Sequence, residues 1–115
     1  MKTFKEWKYK SQEASSLLKK VQDKVHSLLP KADIILYGSR ARLEADLESD
    51  WDFLILLDEQ PDPKTVAAVR DRLYELELQS ETVLSAIVRS RDEWNSDLYS
   101  ILPFKKIVER DGVIL

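Results

Sequence analysis

The chain has 115 residues, of which 43% are hydrophobic and 34% charged, so it is long enough for one core and too short for two. It contains no cysteine, which excludes disulfides, thiolate catalysis and zinc–thiolate sites. Its formal net charge of −3 argues against broad nucleic-acid binding, and no apolar run approaches the ~18 residues of a membrane span. We therefore expect a single cytoplasmic domain with neither a membrane nor a nucleic-acid partner.

The N-terminal quarter predicts an amphipathic helix. Thr3 and Glu6 have the spacing of a capping box, and Pro30 marks the end of the helical pattern. We divide the domain into a helical extension over 1–29 and a core over 30–115. The apolar residues that recur at the helical period are Ala14, Leu17, Leu18, Val21, Val25, Leu28 and Leu29.

Four ring-bearing residues of this segment lie off that stripe. Phe4, Trp7 and Tyr9 precede it, and we interpret them as a cover for the edge of the domain, with a partner surface as the alternative. His26 is the chain's only histidine and flanks the stripe, which is typical of a boundary residue rather than a ligand.

Two apolar stretches, 34–37 and 50–57, predict buried strands joined by a loop. Because side chains at i and i+2 share one face of a strand, Asp50 and Asp52 point the same way about 6.6 Å apart. Trp51 and Phe53 point the other way. Paired acids on an apolar strand repel each other, and Mg²⁺, which prefers hard oxygen ligands, would relieve that repulsion.

The loop after the first of these strands has the composition of a phosphate-binding turn. Gly38 lacks a Cβ, so a phosphate can approach the backbone, and the residues after it can open a helix whose N–H groups face an anion. Ser39 adds a hydroxyl donor, and Arg40 and Arg42 add positive charge.

The rest of the chain predicts alternating helices and one more strand. Asp62 and Pro63 begin a helix that runs to about Gln79, and a strand follows over 81–88. Ser90 and Glu93 fit a second capping box, whose helix carries Trp94, Leu98 and Ile101. Beyond Pro103, a short helical face with Phe104, Ile107 and Val108 ends at Gly112. We expect a small mixed sheet covered by helices, an α/β (α+β) fold.

The order Leu36-Tyr37-Gly38-Ser39, ten residues, then Asp50-Trp51-Asp52-Phe53 resembles the pattern of the DNA polymerase β-like nucleotidyltransferase superfamily. The opening Gly-Ser-Arg-Ala-Arg is similar to that of its small members, the minimal nucleotidyltransferases. The resemblance covers roughly residues 30 to 115. It implies a nucleotidyltransferase-like fold with an added N-terminal helix.

The resemblance also implies a chemistry for these residues. Asp50 and Asp52 would hold one or two Mg²⁺ ions, with Mn²⁺ as an alternative, and Gly38, Ser39, Arg40 or Arg42 would bind the phosphates of a nucleoside triphosphate, ATP being favoured. A hydroxyl acceptor would receive the nucleoside monophosphate. Some members resemble antitoxins that act on a helical partner protein.

The family generally carries a third carboxylate, expected near position 83, where this chain has Val83. Glu81 is two residues earlier on the same face of the predicted strand, so we consider it as a tentative catalytic acid, with a solvated strand-end residue as the alternative. The missing acid leaves a second hypothesis open, a weak or inactive nucleotide-binding module that acts through a partner protein. A template-directed polymerase is a third alternative, disfavoured by the absence of a basic stripe.

Overall fold

The computed structural model describes residues 1–7, 11–46 and 48–115. These ranges contain both helices and strands, which confirms the expected mixed α/β fold. The elements are β1 (Lys2–Thr3), α1 (Gln12–Leu28), β2 (Asp33–Tyr37), β3 (Trp51–Leu57), α2 (Pro63–Ser80), β4 (Leu84–Ser90), α3 (Arg91–Trp94), α4 (Asp97–Ser100), α5 (Pro103–Asp111) and β5 (Val113–Ile114).

Within the described ranges, the strands form one five-stranded sheet in the order β1-β5-β2-β3-β4. The central pair β2–β3 is antiparallel and sets Tyr37 opposite Asp52. The pair β3–β4 is parallel, because α2 carries the chain back to the start of the sheet, and it sets Asp52 opposite Ser85. Tyr37, Asp52 and Ser85 therefore form one row across three strands.

The alternation of side chains along β3 divides the core between the two faces of the sheet. Trp51 and Phe53 point into the larger cluster, which also contains the apolar stripe of α1 and the inner face of α2. Leu54 and Leu56 point to the other face, where α3 and α5 contribute Trp94 and Val108. Asp52 shares this second face, so the predicted separation of acids and rings along the strand is present.

The first residues fold differently from the expectation of a helix led by a capping box. Thr3 and Glu6 make both bonds of the box, with 3.0 Å from Thr3 N to Glu6 Oε1 and 3.2 Å from Glu6 N to Thr3 Oγ1, but they close a single turn after β1. Helix α1 begins at Gln12, where the Ser11 hydroxyl accepts from the N–H of Ala14.

The aromatic residues ahead of α1 cover the core, as far as they are described. Trp7 is only 2% exposed and its indole donates to the carbonyl of Ala41 at 3.2 Å. Phe4 packs beside it with 6.2 Å between ring centroids, while Tyr9 lies outside the described residues. At the other end of α1, His26 Nε2 lies 3.0 Å from the carbonyl oxygen of Ala32.

Helix α2 agrees with its prediction, because Asp62 accepts from the N–H of Thr65 at 2.7 Å and Pro63 is its first residue. The single helix expected after the second capping box is wrong. Ser90 does cap Glu93, but α3 ends at Trp94, and Ser96 caps the separate α4. No helix in the described part of the chain is long and apolar enough to cross a membrane.

Candidate active site

The functional residues predicted on β2 and β3 meet at one end of the sheet. Gly38 follows β2 with a φ of +81°, a left-handed conformation that a residue with a side chain rarely adopts. A methyl group on Gly38 would lie 2.6 Å from Asp52 Oδ2. Glycine at this position therefore leaves the space that the Asp52 carboxylate occupies.

Asp50, directly before β3, affects the neighbouring acid Asp52 inside the strand. Burial raises the pKa of the Asp52 carboxyl above its usual range, and the negative charge of Asp50 raises this pKa further. Asp50 is exposed and Asp52 is half-buried. Within residues 1–7, 11–46 and 48–115, neither carboxylate forms an ion pair or a side-chain hydrogen bond.

The donor chemistry of this pair fits a divalent cation. Mg²⁺ in nucleotide sites is commonly held by one or two carboxylates together with substrate phosphates, and two oxygen donors without a counter-charge provide that set. Among the described residues, however, no group of three or more Asp, Glu, His or Cys side chains comes together. The protein's own contribution to a cation would be these two aspartates.

The segment after Gly38 forms consecutive turns instead of the expected helix. The N–H of Arg42 bonds to the Gly38 carbonyl at 3.2 Å and the N–H of Glu44 bonds to the Ser39 carbonyl at 3.0 Å. Ser39 is half-buried at the start of these turns, directly after Gly38. The turn therefore places Ser39 directly after the glycine that packs against Asp52, without a helix behind it.

Arg40 has structural partners that its sequence position did not reveal. Its Nε and Nη2 donate to the Ser49 carbonyl at 3.2 and 3.0 Å, and its guanidinium lies 4.6 Å from the centroid of the Trp51 ring. The ring of Trp51 belongs to the opposite face of the sheet from Asp52. Arg40 thus fastens the end of the loop to its beginning rather than extending toward the carboxylates.

Arg42 is placed at the rim of the turn. Its Nε lies 3.2 Å from Glu44 Oε2, an ion pair whose two side chains are 33% and 68% exposed. Its positive charge also helps to lower the pKa of Asp111 at the end of α5, where the adjacent Arg110 is the main cause. Arg42 therefore has acidic neighbours of its own on this side of the molecule.

The register of β4 corrects the expected positions of the third acid. The strand begins at Leu84, three residues later than predicted, and Glu81 is the exposed C-cap of α2 with a φ of 56°. A bond from Trp51 N to Val83 O aligns Val83 with Asp50, while Ser85 is the partner of Asp52. Glu81 is thus off the strand, and the residue beside the half-buried acid is a serine.

Tyr37 is a neighbour of Asp52 that the sequence reasoning did not single out. It is half-buried beside Asp52, and its ring packs edge-on against Phe104 with centroids 5.3 Å apart. Burial raises the pKa of the Tyr37 phenol, the Asp52 charge raises it further, and Arg89 opposes the change. Its place directly before Gly38 was the available signal, but the motif treats that position as merely hydrophobic.

These features define a class of protein, an α/β domain that presents two carboxylates and a glycine turn at one end of a mixed sheet. The model of the nucleotidyltransferase domain family matches residues 18–114. The chain belongs to this family. No curated protein gives a significant match.

Among solved structures, the fold is similar to a chain described as "Crystal structure of the toxin-antitoxin with AMP-PNP". The two chains are 17% identical and superpose with a TM-score of 0.61 over 90% of this chain and 72% of that one. At this identity the likeness concerns the fold. The nucleotide analogue and the toxin–antitoxin assembly are properties of that other structure.

Proposed function

We propose that this protein binds a nucleoside triphosphate, ATP being favoured, as its magnesium complex and transfers the nucleoside monophosphate to a hydroxyl group. The observation that carries the proposal is the packing of Asp52 Oδ2 against Gly38, with Asp50 close enough to raise the pKa of Asp52. This packing sets a carboxylate pair next to backbone that a phosphate can approach. Family membership supports the class of reaction.

In this proposal Asp50 and Asp52 hold one or two Mg²⁺ ions, with Mn²⁺ as the alternative ion. When bound, the metal would neutralise triphosphate charge and stabilise the leaving group. Asp52 fills the side-chain space at Gly38, so Gly38 would bind the phosphates through its backbone N–H, and Ser39 would donate its hydroxyl to them. Arg40 contributes by holding the loop closed at Ser49. The acceptor oxygen forms a bond to the α-phosphorus while the bond to pyrophosphate breaks, and the hydroxyl proton passes to solvent.

The acceptor we propose is a hydroxyl on a partner protein, in an antitoxin role. Support for this choice comes from the similarity of the fold to a chain crystallised in a toxin–antitoxin complex. The formal charge of −3 also favours a protein over a nucleic acid as the acceptor. The proposed setting is the cytoplasm, where ATP and a partner of this kind would be available together.

A second candidate function is supported by the residue next to Asp52 on β4. That residue is Ser85, not an acid, and no three-acid group forms in the described ranges, so the cation would depend on two carboxylates. A site of this kind can hold a magnesium nucleotide, but it lacks a third carboxylate to accept the proton of the attacking hydroxyl. The protein would then act as a nucleotide-binding module that regulates its partner by contact.

The deciding experiment measures nucleotide binding and pyrophosphate release in the same samples. The protein is incubated with Mg²⁺ and α-labelled ATP, with and without the product of the neighbouring gene. We expect Asp52→Asn and Asp50→Asn to abolish label transfer and to weaken Mg²⁺-dependent binding. Glu81→Gln is the matched control, and it should retain full activity because Glu81 lies at a helix end.

The outcomes separate the candidates. Label transfer that both aspartate variants lose supports the enzyme, whereas Mg²⁺-dependent ATP binding without turnover supports the regulatory module. Absence of ATP binding in the wild-type protein would refute both. A large loss of activity in Glu81→Gln would show that this acid reaches the site in solution.

A further inference from the structure

Strand β4 forms one edge of the sheet and leaves part of its backbone unpaired. In the described part of the chain it pairs with β3 on one side, and no strand lies on the other. An edge of this kind offers a row of N–H and C=O groups to any further strand. The sequence of β4 contains no proline, and its one charged residue, Arg89, lies near the end of the strand.

The direction of each backbone group in β4 follows from three contacts. Val83 O accepts from Trp51 N, so residue 83 and, by alternation, residues 85 and 87 direct their groups to β3. Leu84 N instead donates to Glu77 Oε1 at 2.9 Å, and Val88 O accepts from Arg89 Nη1 at 2.8 Å. The backbone N–H and C=O groups of residues 84, 86 and 88 therefore point away from β3.

The free outward backbone groups of one copy match those of a second copy, donor to acceptor. They are the carbonyl of Leu84, both groups of Ala86 and the N–H of Val88. An antiparallel two-fold axis at Ala86 would place Ala86 opposite its own copy and Leu84 opposite Val88. Each free donor then meets a free acceptor. The Leu84 N–H also faces the Val88 carbonyl of the second copy, and this bond replaces the Glu77 and Arg89 caps, whose side chains move aside.

The charges beside the edge obey the same two-fold axis. A groove of about 300 Å³ runs along it, lined by Leu73, Ala86 and, from one face of α2, the oppositely charged Arg70 and Glu77. Because Glu77 reaches the Leu84 end of the strand, rotation about Ala86 brings it toward Arg70 of a second copy. The same two-fold rotation thus pairs the free backbone groups of β4 and brings Glu77 toward Arg70.

We infer that two copies of this chain associate through β4, antiparallel and centred on Ala86, to form a continuous sheet across the dimer. The inference concerns assembly and is independent of the proposed transferase activity. Its partner is a second copy, because the two-fold axis accounts for the free backbone groups and the charged rim together.

Sedimentation of the purified protein over a range of concentrations tests this assembly. We expect a reversible shift from the 13.4 kDa monomer to twice that mass. Ala86→Pro removes an outward N–H and leaves the bonds between β3 and β4 intact, so the fold should persist. Its loss of the central bonds should weaken dimerisation by about tenfold or more.

A charge reversal provides a second test that does not depend on proline at an edge. Arg70→Glu should weaken the dimer through like charges, whereas Arg70→Lys keeps the positive charge and should leave it unchanged. A monomer at every concentration, including one that pairs only with an added extended peptide, would overturn the inference. Dimers that neither Ala86→Pro nor Arg70→Glu weakens would place the interface elsewhere and also overturn it.

Discussion

At the scale of single residues, the contact between Gly38 and Asp52 sets the shape of the candidate site. It also sets the free-energy cost of ionising Asp52. The glycine adopts its φ of +81° at the point where Asp52 Oδ2 fills the space of a side chain. The aspartate is half-buried, and its charge is opposed by that burial and by Asp50. A functional group is thus held in a place that disfavours its ionised form, a common compromise between stability and activity.

Asp52→Asn is expected to abolish transfer and to raise stability. Because burial raises the pKa of Asp52 in the folded protein, ionisation costs folding free energy as pH rises from the ordinary carboxyl value of ~3.9 through the raised folded value. Asparagine avoids this cost. Solvent screening limits the gain to about 0.5–1 kcal/mol, or a few degrees in Tm near pH 7.

Thermal melts across pH measure this gain. It should disappear below pH ~3.9, where Asp52 is protonated in both the folded and the unfolded states. Asp50→Asn is the matched control, and its gain should be smaller because Asp50 is exposed. A lower Tm for Asp52→Asn than for the wild-type protein near pH 7 would contradict the interpretation.

Gly38→Ala is expected to reduce both stability and activity. A positive φ disfavours any residue with a Cβ, and the new methyl group would press on the Asp52 carboxylate. We expect a loss of about 1–3 kcal/mol in the free energy of unfolding, measured by urea denaturation. Ser39→Ala is the control and should unfold like the wild-type protein. Equal stability of the two variants would show that the turn tolerates a side chain.

At the scale of elements, the sequence revealed local structure better than long-range partners. The motif marked Gly38, Asp50 and Asp52 because strand alternation and glycine chemistry act over a few residues. The anchoring of Arg40 to Ser49 and Trp51 depends on how a loop closes, which spacing alone does not encode. Glu81 was misplaced because α2 continues to Ser80 and ends at a left-handed residue that is not glycine.

The difference between local and long-range structure also explains the two wrong helix predictions, those after Thr3 and after Ser90. The Thr3 box forms both of its hydrogen bonds, and in the Ser90 box the N–H of Glu93 donates to the Ser90 hydroxyl. Neither begins a long helix, because a capping box specifies a first turn and the later turns depend on tertiary packing. Burial of Trp7 follows the first box, and Trp94 is buried at the end of α3, so packing interrupts the helical pattern after one turn.

Arg40→Lys is expected to loosen the loop between β2 and β3 while leaving the fold intact. Lysine lacks the fork that donates two hydrogen bonds to the Ser49 carbonyl, and it stacks less well on Trp51. Limited proteolysis should cut this loop faster, and transfer should fall about 10- to 100-fold through misplacement of the site. Arg42→Lys should change neither, since its ion pair with Glu44 is at the surface. Equal cleavage rates in both variants would contradict this role.

At the scale of the whole molecule, the two ends of the central strands differ in their contacts. Gly38 and Asp52 lie at one end of the β2–β3 pair, and Arg91 joins the opposite end. Its Nη2 donates to Asp33 Oδ2 at 3.1 Å and to the Lys31 carbonyl at 2.8 Å, and its Nη1 bonds to Asp58. One guanidinium thus ties the start of β2, the end of β3 and the first residue of α3.

Arg91→Lys should therefore lower stability without changing transfer. A single ammonium cannot reproduce the planar set of bonds to two carboxylates and a carbonyl, so we expect a loss of about 1 kcal/mol, or about 4 °C in Tm. Asp52 and Asp58 are separated by the length of β3, roughly 20 Å, so the carboxylate pair should keep its geometry. The measurement compares Tm and initial rate, with Arg110→Lys as a control whose hydrogen bonds go to the adjacent Asp111 at the surface. A reduced rate at unchanged Tm would show that the far end of the sheet is coupled to the site.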